Sequence, residues 1–211
     1  MIDISVVTPN QTVDRTYGIK QVLKQLTLDS FNINESTALD IFAGDGSYCS
    51  YLLGDKVKSI DCISIDQSDL NNINQIIPKA TTILGDSFQV IKNLNKKYDI
   101  IFCDNAQGIM PNGKSEYFDL LEDIPYLIKP GGYFIHNINI LPYNFDPNSA
   151  WGKLRNKFYG RDSSNLSLNF IEDFHTNKMS TLGLKPEYIK LFPREKFNSK
   201  IYLYFILYKF N

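Results

Sequence analysis

The chain has 211 residues, 43% of them hydrophobic, enough to bury a sizeable core within one folded unit. Lys and Arg total 22 against 23 Asp and Glu, for a net charge of -1, so no global positive field gathers nucleic acid. No apolar run approaches the ~18 residues of a membrane span, and the N-terminus lacks the basic segment and apolar core of a signal peptide; a soluble, cytoplasmic protein with no membrane partner is expected.

Polar, turn-rich residues lead into YGIKQVLKQLTLDSF, where Ile19, Val22, Leu23 and Leu26 recur at helical spacing. The stripe predicts an amphipathic helix packed on a core, with Tyr17 and the loop before it as candidates for a lid; residues 1–36 thus form a packing or lid segment. ALDIFAGDGSYCS follows, predicting a buried strand over residues 39–42, a tight turn at Gly44 and Gly46, and a helix opening at Ser47. Such a turn leaves room for a ligand at the strand end. Asp40 and Asp45 add negative charge, which disfavours a pyrophosphate and favours a cationic or amine-bearing ligand, and the Walker pattern is absent.

VKSIDCISID predicts a second strand ending at Asp66, about twenty residues past the glycine turn, where a carboxylate can bind ribose hydroxyls. Asp66 also precedes QSDLNNINQI and can cap that helix. ILGDS and YDIIFCDN supply two further strands with acidic ends, at Asp86 and Asp104. A helix is expected over residues 115–128, with Tyr117, Phe118, Leu120, Leu121 and Ile124 on its apolar face and Pro125 breaking it near the end. LIKPGGYFIHN then gives a fifth strand. This alternation predicts a doubly wound parallel sheet covered on both faces.

Residues 141–165 depart from the alternation and hold Trp151 with Lys153, Arg155, Lys157 and Arg161. They either cap a substrate pocket or pack Trp151 and Phe158 inward while the basic residues are solvated. A helix near 166–182 and two β-rich runs, EYIKLF and KIYLYFILYKF, predict a closing antiparallel hairpin. Cys49, Cys62 and Cys103 have no metal-type spacing and read as buried thiols.

In their order, the glycine turn, the acidic strand ends and the KPGG turn resemble the class I S-adenosylmethionine-dependent methyltransferases. The resemblance implies a Rossmann-like seven-stranded sheet, mostly parallel with an antiparallel last strand, over residues 37–211. It implies S-adenosylmethionine as cofactor, held by Asp40, Ala43, Gly44, Gly46, Asp66, Asp86, Ser87 and Asp104, with Phe88 as a wall for adenine. Tyr17, Asn105, Gln107, Asn137 and Trp151 are implied for the acceptor, and His136 with Asp104 for catalysis.

Two narrower likenesses diverge. Phe42, in place of the first glycine of the family's turn, looks like enzymes acting on nucleic-acid bases. Yet DNAQG after the fourth strand lacks the proline pair and aromatic of those that methylate base amines. The second likeness is to small-molecule O-methyltransferases similar to catechol O-methyltransferase, in which an Asp and an Asp-Asn pair bind a divalent cation. Asp104 and Asn137 match, but His136 replaces the second Asp, so a metal site of Asp104, His136 and Asn137 is the weaker alternative to a metal-free site.

His136 is accordingly read as general base, as ligand or as a structural group, general base being preferred over ligand; His175 reads as structural. The favoured function is methyl transfer to an oxygen or nitrogen of a small polar molecule. Nucleic-acid base methylation, aminopropyl transfer and a non-catalytic nucleoside-binding partner protein are the alternatives.

Overall fold

The computed structural model of the chain describes residues 14–47, 49–104, 116–142, 145–195 and 203–211. Its strands are β1 (Thr37–Asp40), β2 (Ser59–Ser64), β3 (Ala80–Leu84), β4 (Tyr98–Cys103), β5 (Ile128–Asn139), β6 (Pro186–Pro193) and β7 (Leu203–Phe210). They form one sheet in the order β3-β2-β1-β4-β5-β7-β6. β1 to β5 pair in parallel, and β7 runs against both β5 and β6. β6 therefore points the same way as β1 to β5, so its end reaches the same edge of the sheet as theirs. The expected Rossmann-like sheet with its antiparallel last strand is present.

Helices α1 (Tyr17–Leu28), α2 (Ser50–Lys56) and α3 (Gln67–Ile76) cover one face. The other is covered by α4 (Ser87–Val90), α5 (Glu116–Leu120), α6 (Ile124–Leu127), α7 (Ala150–Tyr159) and α8 (Leu168–Thr181). With both faces buried, the central strands are mostly apolar, as IIFC, residues 100–103 of β4, is. The stripe of α1 buries Ile19, Val22 and Leu26 against α2 and the β6–β7 pair, so this helix is a packing element. Among the described residues no helix is long and apolar enough to cross a membrane.

Three boundaries differ from the sequence reading. β1 ends at Asp40, two residues early, and Phe42 belongs to the turn. α2 opens at Ser50 instead of Ser47, because the Ser47 amide and hydroxyl are taken by the Asp45 carboxylate at 3.0 and 2.7 Å. The expected helix over 115–128 is two short helices: Pro125 lacks an amide hydrogen and sits in the first turn of α6, where none is needed, rather than breaking a longer helix near its end.

Strand alternation sorts β5 between two chemistries. His136 shares a face with Phe134 and Ile138, in the core beneath α5 to α8; Asn137 shares the opposite face with Tyr133 and Ile135. His136 is fully buried, stacks on Phe134 and Tyr208, and continues in a chain of hydrogen bonds. Its Nδ1 faces the Asn137 carbonyl at 3.2 Å and so must donate; its Nε2 then accepts from the Tyr208 hydroxyl at 2.8 Å, whose oxygen accepts from His175 Nδ1 at 2.7 Å.

Burial lowers the His136 pKa from 6.5 to about 4 and drives His175 well below its ordinary value. The unfolded chain binds protons here that the folded chain refuses, so this stability is full above pH 6.5 and is lost as the pH falls toward 4. Across that window His136 accounts for about 3 kcal/mol. Urea unfolding at pH 7.5 and pH 5 should show the loss, and His136→Phe should flatten it; an undiminished slope in the variant would assign the loss to other groups.

Candidate active site

The ends of β1, β2 and β3 enclose a pocket of about 270 Å³ lined by Phe42, Gly44, Ile65, Asp69, Asp86 and Ser87. It stands at the low end of the range for small-ligand sites, roughly 300–1,000 Å³. Gly44 and Gly46 have φ of 53° and 75°, the left-handed region that favours glycine. A side chain on Gly44 would meet open space, whereas one on Gly46 would strike Ile73 and Ile76, so Gly44 borders the pocket and Gly46 lets the turn close on α3. Larger hollows lie between α2 and α3, about 530 Å³, and beneath Tyr133, about 410 Å³. In the latter the carboxylates are already engaged, Asp29 by Tyr133 and Tyr188, and Asp99 by Lys129 and Thr37.

Asp66 and Asp86 cap α3 and α4. Each uses Oδ1, Asp66 for the amide and hydroxyl of Ser68 at 2.8 Å and Asp86 for the amide of Phe88 at 3.0 Å, which leaves Oδ2 for a ligand. Ser87 lines the pocket, but its hydroxyl donates to the Ile41 carbonyl, which ties the β3 end to β1. Phe88 lies in the core under Phe42, at a ring distance of 6.0 Å, so Phe42 and not Phe88 forms the aromatic wall.

Beside the pocket, on the face of α1 to α3, the ends of β1, β4, β5 and β6 bring charges together. Asp40 is wholly buried and neither carboxylate oxygen has a hydrogen-bond partner. Burial pushes its pKa up to about 7, and the Asp104 carboxylate adds to the rise, while Ser50 and the Phe42 amide oppose it. Both groups lie close enough to act on the carboxylate, yet neither makes a well-formed hydrogen bond to it. Asp104 is gripped by Arg194, Nε to Oδ1 at 2.6 Å and Nη2 to Oδ2 at 2.8 Å, and accepts from Asn137 Nδ2 at 2.8 Å. Arg194 also bonds Glu195. Burial, with Asp104 adding to it, pushes the Cys49 thiol up and keeps it protonated.

Several sequence expectations need correction. His136 does not reach this cluster: it points to the opposite face, both ring nitrogens are bonded, and it cannot serve as a base or share a metal with Asp104 and Asn137. Among the described residues no three His, Cys, Asp or Glu side chains form a metal-binding group. Asp45, expected to charge the turn, is exposed and closes a local bend through Ser47.

In α7, Arg155 is fully buried, its guanidinium spent on the carbonyls of Asn139 and Ser163, and it lies over the Trp151 ring at 5.4 Å. Lys153, Lys157 and Arg161 are exposed. Trp151 packs on Phe145 with its buried Nε1 unpartnered. Tyr17 is half-buried beside Gly18, whose amide donates to the Arg194 carbonyl at 3.0 Å, so the start of α1 meets the rim. Asn105 and Gln107 lie outside the described residues. Arg194 was not foreseen from the sequence. The signal was available: if EYIKLF runs parallel to the other strands, Arg194, two residues beyond it, emerges at the ligand edge.

No protein-family model matches the chain, and no curated protein matches it by sequence. Solved structures do match in shape. N-methyltransferase NodS from Bradyrhizobium japonicum WM9 superposes with a TM-score of 0.56 at 11% identity, covering 91% of this chain and 93% of its own. TYW2 from M. jannaschii, in complex with AdoMet, gives 0.56 at 14% identity, covering 92% and 76%. Trm5b from Pyrococcus abyssi gives 0.54 at 16%, covering 92% of this chain, which spans about half (49%) of that protein. The likeness is one of fold: the chain shares the seven-stranded, Rossmann-like architecture of these solved methyltransferases.

Asp40 gives this site a stability signature. Its proton affinity is higher folded than unfolded, where the ordinary value is 3.8, so its contribution is favourable at low pH and declines as pH rises toward 7. Asp40→Asn should therefore gain on the parent as the pH rises from 4 to 8, by on the order of 4 kcal/mol, most of it between pH 5 and 7. Equal differences at the two ends of that range would mean that Asp40 is not a strained charge.

Proposed function

We propose that this chain is an S-adenosylmethionine-dependent methyltransferase acting on an oxygen or nitrogen of a small polar molecule. The observation that carries this reading is the unpartnered, buried Asp40 carboxylate set next to the pocket at Gly44. A ligand bearing both an ammonium group and a nucleoside fits that pair. Its ammonium would satisfy Asp40, its purine would lie against Phe42 and Ile65, and its ribose hydroxyls would reach the free Oδ2 of Asp66. Gly44 lets the backbone approach such a ligand closely. Bound there, the cofactor supplies an electrophilic methyl carbon on a sulfonium.

The chain's own residues then bind, orient and exclude water. Following the strand order, adenosine would rest over β2 and β3, and the reacting end would extend past β1 toward Asp104 and Asn137 on β4 and β5. Methylation of a nucleic-acid base is the rival reading, and Phe42 in the turn favours it. Against it, α7 spends Arg155 internally, and two carboxylates stand where the acceptor enters.

Calorimetric titration with S-adenosylmethionine and S-adenosylhomocysteine, with NAD as control, tests the proposal. Both should bind, NAD should not, and Asp66→Ala should weaken both by about tenfold, the worth of one or two hydrogen bonds to a charged acceptor. A folded protein that takes up neither ligand would sink the reading. Tight binding of bulk tRNA would move the acceptor to nucleic acid.

A further inference from the structure

The acceptor end of the site carries one more orphan, the Asn137 Oδ1 atom, which is buried and has no hydrogen-bond partner. Its orientation is chemically fixed. Both Asp104 oxygens accept from Arg194, so the Asn137 amide turns its nitrogen to Asp104 and its oxygen away. Arg194 in turn fixes Asp104 with a two-pronged grip that leaves the carboxylate one orientation. The relay runs from β6 through β4 to β5 and holds a bare acceptor at the strand ends, where the methyltransferase reading would put the substrate atom.

The local charge narrows the substrate class. Arg194 is shared by two carboxylates, Asp104 and Glu195, so this trio holds one negative charge in excess. An alkoxide or carboxylate acceptor would be repelled, and the positive charge of the sulfonium would be annihilated on transfer to it. With an amine the charge survives, moving from sulfur to nitrogen, and the excess carboxylate stabilises it from start to finish.

Resting on the methyltransferase reading, we propose that the acceptor is an amine whose N–H is received by Asn137 Oδ1, and that Arg194 is the positioning residue that sets this amide through Asp104. The neutral amine donates its N–H to Asn137, which points its lone pair at the methyl carbon. The N–C bond forms as the C–S bond breaks, with that bond's electron pair left on sulfur. The resulting ammonium loses its proton to water on release.

The test uses analogues in which nitrogen replaces the sulfur of S-adenosylhomocysteine and carries a third arm of three carbons, ending in an amine, a hydroxyl, a carboxylate or a methyl group. Titrated into the intact chain, the amine-ended arm should bind at least about tenfold tighter than the methyl-ended one, and the carboxylate-ended arm weakest. Asn137→Ala should erase the amine preference while leaving S-adenosylhomocysteine affinity unchanged. Arg194→Gln should reduce the preference, and Arg194→Lys should recover part of it, which a purely structural role would not produce. Equal binding of the four arms by the wild-type chain, or preference for hydroxyl or carboxylate, overturns the proposal even if every variant unfolds. Failure of S-adenosylhomocysteine itself to bind would instead overturn the cofactor reading beneath it.

Discussion

Two carboxylates ending adjacent parallel strands set the terms for this molecule. β1 and β4 pair in register, Asp40 opposite Phe102, so their ends bring Asp40 and Asp104 onto one face, both pulled from water. Like charges in such surroundings cannot both stand uncompensated. The fold answers one of them with a guanidinium brought from the far edge of the sheet. That requires β6 to run parallel to β4, which requires the reversed strand β7 between β5 and β6. It also requires α1 to pack there, since the Gly18 amide holds the Arg194 backbone.

The second carboxylate is left without an answer, and the contrast with other buried charges is informative. Asp61 has Lys96 and the Tyr98 hydroxyl, Asp99 has Lys129 and Thr37, and Arg155 has two carbonyls. At these three positions the buried charges are satisfied, as is usual for groups with only structure to maintain. Asp40 and Asn137 break that rule together, at the edge of the sheet where parallel folds bind ligands. Trp151 Nε1 and His175 Nε2 are also unpartnered, but they belong to the α7 and α8 side, away from the glycine turn.

Much of the architecture was legible because it rests on periodicity and strand ends. The stripe of α1, the apolar strands, the glycine turn and the Asp66 cap are local signals, and each appears where its residues put it. What failed was orientation. His136 and Asn137 are neighbours with equal claim to an active site, and only the pleat decides that Asn137 faces Asp104 while His136 faces Tyr208. Phe88 and Phe42 exchanged roles for a similar reason: which ring faces the pocket depends on β1 ending at Asp40, so that Phe42 turns out of the strand. Arg155 looked like a surface charge because sequence gives no sign that the carbonyls of Asn139 and Ser163 converge on it. Arg194 was hidden by sequence distance, ninety residues from the carboxylate it holds.

These charges also couple ligand binding to protonation. The ligand-free Asp40 holds its proton to about pH 7, because burial and Asp104 both disfavour its anion. A cation arriving beside it reverses that preference, so binding near neutrality must release a proton from Asp40, and affinity must rise with pH until that proton is already gone. Asp104 has a permanent counter-charge in Arg194. On the proposed reading the site divides its labour by environment: the carboxylate with a permanent partner fixes geometry, and the one kept without a partner would receive the ligand's charge.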